Sequence, residues 1–169
     1  MMLDMLGFNY SLNPFCFSFK DSRDPSNVFL TTEKQKLIFF DKYIQMDFKL
    51  PSQRVFGFGE RARDFQLNEG AWTMWASSNN ESMYDDGRGR STGYGAHPFI
   101  IVQTNKTNQK SGGDYIGIFF RNSNAQTPIL SYNHTDGSST LSYITIGGQL
   151  EIYFFIHGLA KVIIKQYHS

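Results

Sequence analysis

Glu60 is the first residue whose type and setting could do chemistry. It follows Gly57-Phe58-Gly59 and stands beside Arg61 and Arg63. A carboxylate at such a bend can act as a catalytic acid or base, or as an ion-paired residue that fixes the turn after a strand. The second role is the expectation here. Paired-carboxylate hydrolysis needs a second facing acid, and the sequence offers no clear one. Trp72, Trp75, Tyr84 and Tyr94 then bracket a polar, glycine-containing segment, 76–95. Flat rings beside amides and hydroxyls can stack on a sugar, with an apolar face and a polar rim; equally, Trp72 and Trp75 can be core residues. Asp85-Asp86-Gly87 lacks the alternating acids and distal glutamate of a calcium loop and reads as a solvated turn. His97, His134, His157 and His168 show no metal-ligand spacing, so no metal and no cofactor are expected. Gly57-Phe58-Gly59 lacks the further glycine and helix start of a phosphate loop, and no nucleophile-elbow serine is present. His97, just before Pro98, reads as structural.

The elements that must position these residues are strands. Residues 14–20 alternate Phe15, Phe17 and Phe19 against Cys16, Ser18 and Lys20, the pattern of a half-buried strand. Further short strands are expected at 28–30, 37–40, 43–48, 55–58, 71–75, 98–103, 115–121, 129–132, 141–146 and 150–156, separated by polar or glycine-bearing turns. Residues 115–121 are apolar on both faces except at Gly117, as in a central strand of a two-layer fold. Residues 61–70 and 76–95 read as loops and 104–113 as a hairpin tip. Loops as long as 76–95 are uncommon in compact domains and usually functional or disordered. Leu159, Val162, Ile163, Gln166 and Tyr167 fall at helical spacing. The expected fold class is therefore all-β, an antiparallel β-sandwich with a short C-terminal helix.

Composition agrees. The 169 residues suffice for one domain with a real core, and 16 Phe, 9 Tyr and only 5 Pro suit a β-rich domain. A net charge of +1 gives no electrostatic case for nucleic acid or an anionic membrane. No apolar run approaches a membrane span. The N-terminus has no basic region and Asp4 interrupts its apolar stretch, so it does not read as a signal peptide. Cys16 is the single cysteine and reads as a buried structural thiol. Asn-x-Ser/Thr triplets stand at Asn9, Asn80, Asn105 and Asn133; ordinary turn asparagines and a secretory route are both open.

Several short motifs, in order along nearly the whole chain, resemble the N-terminal domain of glycoside hydrolase family 31, the α-glucosidase family. They are Asn13-Pro14-Phe15, Leu50-Pro51-Ser52, Val55-Phe56-Gly57-Phe58-Gly59-Glu60-Arg61, Tyr94-Gly95-x-His97-Pro98-Phe99, Gly117 through Asn122-Ser123-Asn124-Ala125, and Tyr143-x-Thr145-Ile146-Gly147-Gly148-x-Leu150. Each is modest alone; their order and spacing make the resemblance specific. It implies a galactose-mutarotase-like β-sandwich over 1–157, lacking its front strands before Phe8, with 158–169 beginning a helix toward a (β/α)8 catalytic barrel that this chain lacks. Gly57, Gly59, Glu60, His97, Asn122, Asn124, Gly147 and Gly148 are then structural motif residues.

The resemblance also implies that segment 76–95 borders the mouth of the barrel's active site. Trp75, Ser78, Asn79 and Tyr94 are its candidate substrate-binding residues. Tyr94 matches the family's residue. The family's acidic contact falls on Ser78, or on Asn79 with a one-residue shift, so the charge is absent. Glu151 replaces the usual aspartate, and 157–161 lacks the family's prolines. The family's nucleophile and acid/base are barrel aspartates, so no catalytic residue is expected in this chain. The implied partners are the barrel and an α-glucoside or other carbohydrate, and the implied location is the secretory pathway. The alternatives are a stand-alone carbohydrate-binding sandwich and a structural or interaction piece with no activity.

Overall fold

A computed structural model describes residues 6–61, 64–75, 95–104 and 115–169, apart from the side chain of residue 157. Alternation of apolar and polar residues builds two antiparallel sheets. The larger contains β1 (Leu6–Leu12), β2 (Phe15–Asp21), β3 (Val28–Thr31), β4 (Leu37–Phe40), β5 (Tyr43–Leu50), β7 (Gly70–Ala71), β10 (Ile129–Tyr132) and β11 (Ser139–Thr145). Its order is β1-β2-β3-β5-β11-β10-β7, with β4 also pairing β5. The smaller sheet holds β6 (Val55–Gly57), β8 (Phe99–Gln103), β9 (Tyr115–Phe120) and β12 (Ile152–Gly158) in the order β12-β9-β8-β6. One helix, α1 (Ala160–Tyr167), follows. This is the all-β sandwich that the alternation predicts, and β9 is an interior strand, as its two apolar faces require.

The core lies between the sheets. Phe48, Leu141 and Tyr143 of the larger sheet meet Ile100, Val102, Ile116, Ile118 and Phe120 of the smaller, all buried. Phe120 and Tyr143 stack across the layers at 4.2 Å between ring centroids, a geometry worth about 0.5–1.5 kcal/mol beyond the area it buries. Farther along, Phe154 of β12 packs against Phe17 and Phe19 of β2 at 5.6 and 5.0 Å.

Helix α1 rests on the outer face of the smaller sheet. Gly117 makes its seat: a Cβ there would lie 2.6 Å from Cγ2 of the buried Ile163. Tyr167 stacks on Phe99 at 4.3 Å.

Three expectations are corrected and one strand is added. Residues 71–75 do not form a strand. Only Gly70 and Ala71 pair, in β7, and Met74 makes an isolated bridge to Gln126. Between them Trp72 turns inward and its indole Nε1 donates to the Asn68 carbonyl, which breaks the alternation. Within 61–70, read wholly as a loop, Gln66 bridges Phe56 and the Leu67 amide donates to the Val55 carbonyl, burying Leu67. Strand β1 was not anticipated, although Leu6, Phe8, Tyr10 and Leu12 alternate with Gly7, Asn9 and Ser11. Cys16 is half-buried rather than buried.

Candidate functional site

The glycine-rich bend after β6 is built by a close backbone crossing. Gly57 has φ +131°, and a Cβ on it would sit 2.3 Å from the Phe99 carbonyl oxygen, so the position requires glycine. Phe58 follows at φ 49°, its side chain fully buried, and its amide donates to the same Phe99 carbonyl. Glu60 is exposed, and its amide donates to the Gly95 carbonyl. The His97 amide donates to the Gly59 carbonyl. Gly59, Glu60, Gly95 and His97 are thus brought together through their backbones, and the side chains of Glu60 and His97 face solvent.

Arg61 makes the bend rigid. Its guanidinium donates to the Phe58 carbonyl at 2.8 Å and to the Thr73 carbonyl at 2.6 Å, and it lies 5.4 Å over the Trp72 ring. Burial pulls its pKa down to about 10, which leaves it protonated at neutral pH. The sequence hinted at this role only through its position after Gly59-Glu60. Three residues past the buried Trp72, Trp75 is 58% exposed. It stands where the chain leaves Met74, which is bridged to Gln126, for segment 76–95. Both ends of that segment are therefore tied to the sandwich. Ser78, Asn79 and Tyr94, like Tyr84 and the 85–87 turn, lie outside the described residues.

A second group gathers at the exit of β9. The Asn122 side-chain amide donates to the Gly147 carbonyl at 2.9 Å, and its Oδ1 accepts from the amide and side chain of Asn124 at 2.9 and 3.0 Å. Gly148, at φ +83°, passes so close that a Cβ would meet Asn124 Nδ2 at 2.6 Å. Asn122, Asn124, Gly148 and His97 line an open cleft of about 610 Å³ with Arg121, Gln149 and Tyr167. Trp75 is not part of it. At its rim Arg121 donates to Glu151 at 2.8 Å, and the Tyr153 hydroxyl and the Gln149 amide also donate to that carboxylate. These bonds, that of Tyr153 first, hold the Glu151 carboxyl below its usual range. The network was not read from the sequence, although the two-residue spacing of Gln149, Glu151 and Tyr153, which runs into β12, could have suggested it.

Two carboxyls with shifted pKa, Asp136 and Glu151, are both lowered. A general acid working near neutrality needs a raised one. Among the described residues no group of three or more His, Cys, Asp or Glu side chains could hold a metal. No helix among them is long and apolar enough to cross a membrane.

Two antiparallel sheets packed face to face, with a helix over the smaller and one long segment pinned at both ends, define a β-sandwich domain. The chain belongs to the glycosyl hydrolase 31 N-terminal galactose mutarotase-like domain family, which it matches over residues 9–127. It is 29% identical over 152 residues to the probable maltase-glucoamylase 2 of Homo sapiens, covering 89% of this chain and 6% of that protein. With the lysosomal alpha-glucosidase of Rattus norvegicus the identity is 31% over 140 residues, 83% of this chain and 13% of that protein. Among solved structures, the alpha-1,4-glucan lyase of Gracilariopsis lemaneiformis aligns with a TM-score of 0.54 at 14% identity, over 85% of this chain and 18% of that one. That likeness concerns the fold. The chain spans a small part of the length of each of these proteins.

Proposed function

We propose that the chain is the non-catalytic N-terminal sandwich of a family 31 glycoside hydrolase, with segment 76–95 bordering the active-site mouth of a (β/α)8 α-glucosidase barrel and α1 leading toward that barrel. The observation that carries this reading is the double anchorage of the segment. Met74 is bridged to Gln126 on one side, and 95–97 is hydrogen-bonded to Gly59 and Glu60 on the other, with Trp75 exposed at the root. A loop held this way can present side chains to a neighbouring domain without disturbing the core. The two carboxyls whose pKa is shifted, Asp136 and Glu151, are lowered and so are not poised to donate a proton near neutrality. The chain alone should show no turnover of maltose or of an aryl α-glucoside. Turnover that needs the intact fold would overturn the reading, and its loss on Glu60→Gln would reassign Glu60 as catalytic.

The exposure of Trp75 supports a second reading, a stand-alone carbohydrate-binding sandwich. Titration with maltose followed by tryptophan fluorescence separates the two. A saturable change that disappears in Trp75→Ala supports direct binding, and no change supports the barrel-dependent reading.

A further inference from the structure

We propose that Asn133 is an attachment site for an N-linked glycan, taken from a lipid-linked oligosaccharide diphosphate in the lumen of the secretory route. The sequence carries Asn-x-Ser/Thr triplets at Asn9, Asn80, Asn105 and Asn133. Such a triplet can serve as an acceptor only where the folded chain carries a bulky, solvated branch at its surface. Asn80 and Asn105 lie outside the described residues. Asn9 stands within the β1 ladder, opposite Ser18. Among the described triplets, Asn133-His134-Thr135 alone stands in a turn, the one that joins β10 to β11.

That turn is held from several sides, and none of its bonds uses the acceptor nitrogen. The Asn133 amide donates to the Ser138 carbonyl, and the Asn133 carbonyl accepts from the Gly137 amide and from Gln53 Nε2. Lys49 pairs with Asp136 at 3.3 Å, and His134 lies 3.7 Å from Glu69. The Asn133 side chain takes part through its oxygen: Oδ1 accepts from the Thr135 amide at 2.9 Å. Its Nδ2 meets no acceptor among the described residues, and the Thr135 hydroxyl is also unbonded there. Both residues are exposed. Turn building alone does not account for the nitrogen. Farther round the same loop Asp136 does the equivalent work with a carboxylate, its Oδ1 accepting from the Ser138 amide at 2.9 Å. An aspartate at 133 would build this turn equally well. Asparagine adds a free Nδ2, with the Thr135 hydroxyl beside it in the triplet.

The transfer balances with the donor named. Nδ2 forms a bond to the anomeric carbon of the first sugar. The bond from that carbon to the diphosphate oxygen breaks, the lipid diphosphate leaves with the electron pair, and Nδ2 gives up one proton. Transfer acts on the chain before the sandwich closes, so the folded turn decides whether the product fits. A branch on Nδ2 displaces no hydrogen bond and leaves the bond from Thr135 to Oδ1 intact. None of this rests on the role of segment 76–95 or on a barrel.

The full chain, expressed behind a cleavable secretory leader in a eukaryotic cell, provides the test. Leader removal marks the molecules that reached the lumen. Occupancy is read on those alone, by peptide mass spectrometry after an amidase that turns a glycosylated asparagine into aspartate. The expected result is conversion at Asn133, with one step of gel mobility lost in Asn133→Asp and in Thr135→Ala and kept in Thr135→Ser. Asn133→Asp retains the oxygen that builds the turn, and Thr135→Ala retains the backbone amide that binds it. Both variants should therefore keep the parent's circular dichroism spectrum and urea midpoint, and the glycosylated protein should share them. An unconverted Asn133, a mobility step that survives Asn133→Asp, or a glycosylated form that loses the parent's spectrum would each overturn the proposal.

Discussion

The smaller sheet has a roofed side and a bare side, and aromatic rings occupy both. On its outer face Phe99, Phe119 and Phe155 are gathered around Tyr167 of α1, at 4.3, 5.2 and 6.2 Å. Beside its β12 edge, the rings of Phe8 and Tyr10 stack on one another at 5.9 Å and remain half or more exposed. Both regions are strand surfaces of similar composition. The difference is one small residue and the element it admits: Gly117 leaves room for Ile163 and α1, and no described element answers β1. Alternation decides which way a ring points. Whether it is buried depends on what the rest of the chain brings over it.

That contrast can be broken first from the roofed side. Ile163→Ala should cost about 2–5 kcal/mol in urea unfolding, because a side chain that is 1% exposed leaves a cavity under α1. Gly117→Ala attacks the same contact from below. Its Cβ would crowd Ile163 at 2.6 Å and Phe99 at 3.2 Å, and a loss of about 1–3 kcal/mol is expected, smaller if α1 can lift. The bare side should answer differently. Leu12→Ser should leave the unfolding free energy of dilute protein within about 0.5 kcal/mol of the parent.

The smallest effect lies in acid. Tyr153 and Arg121 hold the Glu151 carboxyl below its ordinary 4.5. Its stabilising contribution is therefore complete above that value and drains away as pH falls from 4.5 through the lower folded-state value. Glu151→Gln should flatten that slope slightly in acid titrations of stability, and a parallel slope in both proteins would show that the exposed network contributes nothing.

Much of the sandwich was legible because its cause is local. The alternation of Phe15, Phe17 and Phe19, the apolar run of β9 and the helical spacing of Ile163 and Tyr167 each follow from a period within one segment. The sheet order was not legible. β5 lies beside β11, pairing Phe48 with Leu141, and no local pattern states that a partner lies so far along the chain. Trp72 and Trp75 show the same limit at the candidate site. Sequence places both beside the polar segment, while the bond from Trp72 to the Asn68 carbonyl and the cover from Arg61 settle which is core and which is surface. That Gly57 and Gly148 stand at close crossings is itself a feature of the fold. The residues they cross, Phe99 and Asn124, emerged only from the fold.

Arg61 carries a last consequence, for proteolysis. Its peptide bond is a trypsin site by sequence, yet the guanidinium that the protease must capture is already committed to the carbonyls of Phe58 and Thr73. Trypsin can cut after Arg61 only when those two bonds let go. The rate of that single cut is thus a clock for local opening at the root of segment 76–95, readable without any label.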